Sequence, residues 1–223
     1  MASRTLLAGA ILALCFASAA HANLLTNGSF ENGAFVDNTS QDTDNLALGS
    51  TAMTGWTVIG SEGLAWIGPK NPFGLSAEDG SYFLDLTDYQ SGGPFSGVSQ
   101  TINTTAGDHY VLTFELGSST TYGLPDGVTA SAGSTSGTFT STQTTSSNFW
   151  QSETLGFTAT GSTTLIDIVG ASGANYIGLD NVSVVQTSGV PEPASWSLML
   201  FGFAILGAGL RLRRQGLANA ASA

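Results

Sequence analysis

The 223-residue chain carries 16 acidic and 5 basic side chains, for a formal charge of −11. Between Asn23 and Gln186 the imbalance is sharper, with 15 acidic residues against Lys70 alone. Such a surface repels nucleic acid, which is bound through clustered Lys and Arg, and the single cysteine, Cys15, excludes an internal disulfide.

Taken in order, residues 1–22 have the layout of a signal peptide. Arg4 gives a positive start, Leu6 to Phe16 an apolar stretch, and Ala20-His21-Ala22 a small-residue cleavage site. Leu14 stands before Cys15 where a lipobox takes Gly or Ala, so lipidation is not expected. Cleavage leaves Asn23 first and removes the cysteine.

The span 23–187 has the size of one domain and is rich in Gly, Ser and Thr. Short alternating runs recur between turn residues. In Tyr110-Val111-Leu112-Thr113-Phe114-Glu115-Leu116 the apolar positions fall on one face and Thr113 and Glu115 on the other. Further strands are expected at Gly55 to Ile59, Leu64 to Ile67, Tyr82 to Leu86, Gly97 to Ile102, Gly127 to Ala132, Ser152 to Thr158, Thr163 to Val169 and Ile177 to Val185. Turns such as Asp79-Gly80 and Pro125-Asp126-Gly127 separate them. Ser131 to Ser147, nearly all Ser, Thr and Gly, reads as two thin strands and a loop. The whole predicts an all-β fold, a two-sheet jelly-roll sandwich of nine to eleven strands.

Asn27-Gly28-Ser29-Phe30-Glu31, Gly55-Trp56, Asp79-Gly80-Ser81-Tyr82-Phe83-Leu84-Asp85-Leu86, Val98-Ser99-Gln100-Thr101-Ile102 and Leu179-Asp180-Asn181-Val182 occur in that order. The set resembles the galactose-binding-like jelly rolls of the choice-of-anchor type, which are related to carbohydrate-binding modules. In related jelly rolls the first and last strands lie side by side, tied by a calcium ion. The resemblance therefore implies a structural Ca2+ at Glu31 and Asp180, the acids that close the first block and open the last. Without a cation, two acids forced together would repel.

Catalytic signatures are scarce. His109 is the only histidine of the span, which argues against zinc and Cys-His chemistry, and no G-x-S-x-G element surrounds a serine. Glu78, Asp79, Asp85 and Asp88 cluster in sequence, so a glycan-active hydrolase working through paired carboxylates is the alternative to a non-enzymatic protein. A purely structural matrix component is another. Sugars offer apolar faces and hydroxyl edges, so a glycan site pairs aromatic rings with polar groups. Loop aromatics include Trp66, Phe73, Tyr89, Phe95 and Tyr122. Trp66 and Tyr89, with Asn71 and Asp88 beside them, are the expected glycan contacts. The alternation of Leu64, Trp66 and Gly68 equally suits a core tryptophan.

The end of the chain has three parts. Pro191-Glu192-Pro193 forms an extended hinge that cannot continue a strand or helix. Ala194 to Leu210 is uncharged and long enough, at about 25 Å as a helix, to be a short transmembrane helix. Arg211, Arg213 and Arg214 then keep the far end cytoplasmic. This layout over 188–214 resembles the PEP-CTERM sorting signal of Gram-negative bacteria, although the chain runs on through 215–223 where such tails stop. The resemblance implies recognition by an exosortase, transient residence in the inner membrane, and delivery to the cell surface or extracellular matrix. The expected protein is thus exported, non-catalytic and polysaccharide-binding.

Overall fold

Side-chain alternation decides the central strands. The structure, a computed structural model, describes residues 22–89, 92–119, 122, 125–142, 149–174, 176–187, 199–206 and 211. Its strands are β1 (Thr43–Ala47), β2 (Thr57–Gly60), β3 (Gly63–Ile67), β4 (Phe83–Asp85), β5 (Ser96–Asn103), β6 (His109–Ser118), β7 (Gly127–Ala132), β8 (Thr135–Thr140), β9 (Phe149–Thr158), β10 (Thr163–Ser172) and β11 (Gly178–Gln186). In β6, Tyr110, Leu112, Phe114 and Leu116 are buried while Thr113 and Glu115 are half-buried, the period of two that a pleated strand imposes.

The strands make two antiparallel sheets, β1-β3-β4-β11-β6-β9 and β2-β5-β10-β7-β8. The expected two-sheet sandwich is present, with the nine expected strands in place. The Ser/Thr/Gly-rich stretch supplies the end of β7 and all of β8, as expected of thin strands. β1 was not foreseen, because its buried positions include Thr43 and Asp44 rather than alternating apolar residues. The Asp44 carboxylate accepts from Val36 N (2.9 Å) and Asn38 Nδ2 (2.8 Å), so a polar strand is satisfied locally.

Between the sheets lies the main core, built on Phe30, Trp56, Trp66, Leu84, Leu112, Phe114, Ile166, Ile168 and Val184 among others. The Asn27-Gly28-Ser29-Phe30-Glu31 block closes one margin of it. Asn27 takes a left-handed φ of 58°, and its amide donates to Asn32 O and Thr54 O. Its backbone carbonyl accepts from Trp56 Nε1 (2.8 Å), and that of Phe30 from Trp66 Nε1 (3.1 Å). Two indoles are buried without an unpaired donor, which is the condition for burying them at all.

The two ends of the sandwich meet as the jelly-roll resemblance implied. Leu24 N donates to Val184 O, Val182 N to Gly28 O, and Val184 N to Asn23 Oδ1. A bulge in β11 between Asp180 and Ser183, with Asn181 at φ 46°, frees Val182 for this contact.

A second, smaller core covers the outer face of the six-stranded sheet. Asn45, Ala65, Asp85, Gly178, Gly117 and Trp150 are register partners in one row across all six strands. At Gly117 a Cβ would stand 2.5 Å from the Trp150 ring, so the indole lies flat across bare backbone. Trp150 Nε1 donates to Ser76 O (2.9 Å). That bond draws the 71–78 segment over the sheet, where Phe73 and Leu75 join Ile67, Phe83 and Tyr176.

The expected signal helix over 1–22 lies outside the described residues except for Ala22, as do Pro191, Glu192, Pro193, Arg213 and Arg214. The expected transmembrane helix over 194–210 is helical at 199–206, which rises about 12 Å against a bilayer core of about 30 Å. Among the described residues no helix is long and apolar enough to cross a membrane. The membrane-spanning expectation is thus unsupported at this length. Arg211 is helical and exposed, and the large apolar side chains of 199–206 are exposed as well, from 56% at Met199 to 73% at Phe201.

Candidate functional site

The sequence reading placed a glycan platform on Trp66, and the structure corrects it. Trp66 is 1% exposed, packs edge-on against Phe35 and is hydrogen-bonded inside the main core, so no ligand can stack on it. The reason is pleat parity: Leu64 and Trp66 face the other sheet, whereas Ala65 and Ile67 face the second core. Asn71 holds a loop together, its amide donating to Gly68 O (2.9 Å) and Leu75 O (3.2 Å). Asp88 and Tyr89 do lie at the outer-face cluster, both in left-handed conformations, with φ of 48° and 64°.

Glu31 and Asp180 are brought to one feature, the 78–82 turn, from opposite ends of the domain. Glu31 Oε1 accepts from Ser81 N and Tyr82 N, both 2.7 Å. Asp180 Oδ2 accepts from Glu78 N (2.8 Å) and Asp79 N (3.0 Å), and its Oδ1 from Asn181 N (2.7 Å). Gly80, at φ 77°, sits against the Glu31 carboxyl, where a Cβ would come within 2.5 Å. Burial pushes Asp180 up to about 7 against the pull of its three amide donors. Three of the four carboxylate oxygens thus already face N–H groups, while calcium takes six to eight oxygens. Among the described residues no group of three or more His, Cys, Asp or Glu is arranged to hold a metal ion. The pair alone does not fit the expected Ca2+; it fits a clamp on the turn.

The acids weighed for hydrolysis divide between two places, Glu78 with Asp79 and Asp85 with Asp88. Glu78 and Asp79 belong to that clamped turn, and Glu78 Oε2 accepts from Asn181 Nδ2. Asp85 is fully buried, accepting from Thr87 N, Thr87 Oγ1 and Ile177 N.

The outer-face cluster is what sequence reasoning missed as a unit. It gathers where β4, β6 and β7 meet the loops: Asp85 ending β4 and the residues to Tyr89 that follow, Ser118 ending β6, Asp126 before β7, and Tyr176 before β11. The rings run in a chain. Tyr89 meets Phe73 (5.5 Å), Phe73 meets Tyr122 (5.9 Å), Tyr122 stacks on Tyr176 (5.8 Å), Tyr176 meets Phe83 (6.4 Å), and Phe83 meets Trp150 (5.6 Å). Tyr89, Tyr122 and Trp150 are half-buried, whereas Tyr176, Phe83, Ser118 and Asp126 are buried.

Polar atoms in this cluster go unmatched. Asp88 Oδ1, Tyr89 Oη, Ser118 Oγ, both carboxylate oxygens of Asp126 and Tyr176 Oη are buried with no hydrogen-bond partner. Burial drives Asp126 up to about 7; the Ser118 hydroxyl, close by but outside hydrogen-bonding geometry, offsets part of this, and Asp85 adds to it. Asp85 is raised to about 6 by burial, against the N–H donors of Ile177 and Thr87. Asp88 is raised by burial and by Glu62, and burial lifts Tyr89 to about 12, offset in part by the Thr43 hydroxyl, which lies near but outside hydrogen-bonding geometry. The signal was present in sequence as Tyr89, Tyr122 and Phe73, but nothing there showed that Asp126 and Tyr176 share their site.

Residues 23–177 match the family described as "Protein of unknown function (DUF642)", and residues 189–214 match the PEP-CTERM protein-sorting motif. Halomucin of Haloquadratum walsbyi is 32% identical over 179 residues, 77% of this chain; the match spans only 2% of halomucin's length. Among solved structures, one described as "CBM4 structure and function" gives a TM-score of 0.42 at 15% identity, covering 73% of this chain and 99% of that one. The CBM22-1 xylan-binding domain of Paenibacillus barcinonensis Xyn10C gives 0.42 at 14%, covering 78% and 100%. TmCBM61 in complex with β-1,4-galactotriose gives 0.40 at 15%, covering 74% and 99%.

Proposed function

The chain belongs to the DUF642 family and ends in a PEP-CTERM motif that marks an exported exosortase substrate, and from that premise we propose that it is a non-catalytic surface protein whose β-sandwich binds polysaccharide through the outer-face cluster. One observation carries the reading: three half-buried rings, Tyr89, Tyr122 and Trp150, rim a floor of buried polar atoms that the protein leaves unpartnered. Rings suit the apolar faces of sugars, and unmatched carboxylate and hydroxyl groups suit their edges. Burying such atoms without partners costs about 1–3 kcal/mol each, which a ligand would recover. The absence of catalysis is part of the proposal, supported by the burial and full engagement of Asp85.

For sorting, the apolar run 194–210 holds the chain in the inner membrane until processing near Pro191 to Pro193. The exposed apolar side chains of 199–206 support this, because a surface of that kind is stable in lipid rather than in water. Mass spectrometry of the surface fraction tests it: peptides should end near Pro193, and recovery of an intact 194–210 segment there would refute processing.

The binding test is affinity electrophoresis of the full chain through a panel of polysaccharides, with reducing-sugar release measured in parallel. Retardation by at least one polysaccharide without sugar release is expected. Sugar release would install the hydrolase instead, and no retardation by any polysaccharide would leave the structural-matrix alternative.

A further inference from the structure

The floor of the cluster says which sugars suit it. The domain between Asn23 and Gln186 has one basic residue, Lys70, against 15 acidic ones, so its own side chains cannot neutralise its carboxylates. Around the cluster the surplus is local, with Asp85, Asp88, Asp126 and Glu62 acting on one another or on the tyrosines. Asp126 is 0% exposed with neither oxygen bonded, and Tyr176, 1% exposed with its hydroxyl unbonded, senses both Asp126 and Asp85. A carboxylate buried in this way is held toward its protonated form, and a cation that enters beside it pairs with the ionised one.

The surroundings then select the kind of cation. Calcium takes six to eight oxygen ligands, and among the described residues no group of three or more His, Cys, Asp or Glu gathers here to begin such a shell. The walls are rings instead: Tyr89, Phe73, Tyr122 and Tyr176 lie in one chain of contacts. Aromatic walls with acidic groups behind them are the setting in which organic ammonium groups are held, by the ring faces and by the charge together.

We propose that this cluster binds the ammonium group of an amino sugar, with Asp126 as its charge partner, the Ser118 and Tyr176 hydroxyls as hydrogen-bond acceptors, and Tyr89 and Tyr122 as the rings through which it enters. The inference rests on the polysaccharide reading and narrows it to basic glycans, those bearing free amines. Acidic glycans, carrying uronate or sulfate, are repelled by the same carboxylates.

The test compares two hexasaccharides on one backbone, a cationic β-1,4-glucosamine hexamer and its neutral, fully N-acetylated form, by calorimetric titration of the full chain. The glucosamine hexamer is expected to bind about tenfold or more tightly, with the difference shrinking in 0.5 M salt, about the range where screening is strong. Asp126→Asn should abolish the difference. Tyr122→Leu, at the half-buried rim, should weaken the glucosamine hexamer in a chain whose circular dichroism is unchanged, and it decides the matter if Asp126→Asn does not fold. Equal binding of both hexamers overturns the ammonium proposal and leaves polysaccharide binding standing. So does binding of neither hexamer while another polysaccharide of the panel is retained. Failure of every polysaccharide removes both readings. Competition by millimolar sodium or calcium as effective as by the amine would mean an inorganic cation site and overturn the proposal too.

Discussion

The two apolar clusters of this molecule are built from the same residue types and differ in how they treat polar atoms. In the inner core both buried tryptophans, Trp56 and Trp66, donate to carbonyls of the opening block. In the outer cluster a carboxylate and three hydroxyls are buried with no partner. A core that closes every polar valence contributes stability and little else. A cluster that leaves them open gives up stability, and the natural return is binding.

Substitutions should separate the two. The largest effect is expected from Trp66→Ala, at about 3–5 kcal/mol of lost stability in urea unfolding, from cavity formation. A loss under about 1 kcal/mol would mean that the inner core is not what holds the sandwich. Next is Asp180→Ala, which strips three backbone N–H groups of their acceptor and should cost about 2–3 kcal/mol. Because the 78–82 turn leads out of the segment over the outer cluster, hydrogen exchange should rise in residues 71–82 and leave β6 protected. Uniform loss of protection would show that the clusters are not separable.

Of opposite sense to most proteins is the response to pH. Asp85, Asp126 and Asp180 stand at about 6, 7 and 7 in the fold against 3.8 for the ordinary group. Between those values the folded chain holds more protons than the unfolded one, so stability falls as pH rises. The urea midpoint should be highest near pH 4 and decline toward pH 7, and Asp126→Asn should flatten part of that decline. A midpoint that rises over the same range would contradict the assignment of these three groups. Least of all, Tyr122→Leu should leave the melting temperature nearly unchanged while weakening ligand binding, and EDTA or added calcium should not shift melting at all. A calcium-dependent rise, lost in Asp180→Ala, would show that backbone carbonyls complete a shell around Glu31 and Asp180 after all.

What could be read beforehand follows the same division. Alternation exposed nine strands and the sandwich, since burial on one face writes itself into period two. It could not reveal β1, whose buried Thr43 and Asp44 are satisfied by local hydrogen bonds. The order of blocks pointed to a meeting of Glu31 and Asp180, but it gave no sign of the 78–82 turn whose N–H groups both carboxylates accept from. Trp66 was legible only as an alternation with two outcomes, because side-chain parity in β3 depends on which face the neighbouring strands present. The outer cluster was least visible. Its members lie on five separate segments, and the row of Gly117 and Gly178 that makes room for it has meaning only once the register is known.

β11 is a central strand of the six-stranded sheet, and the sorting segment continues directly from it. It is paired over seven positions with β6 and further bound to the opening segment through Leu24, Gly28 and Asn23. A pull applied from the C-terminal side would therefore run along this strand and load those hydrogen bonds together in shear, not one after another as in peeling.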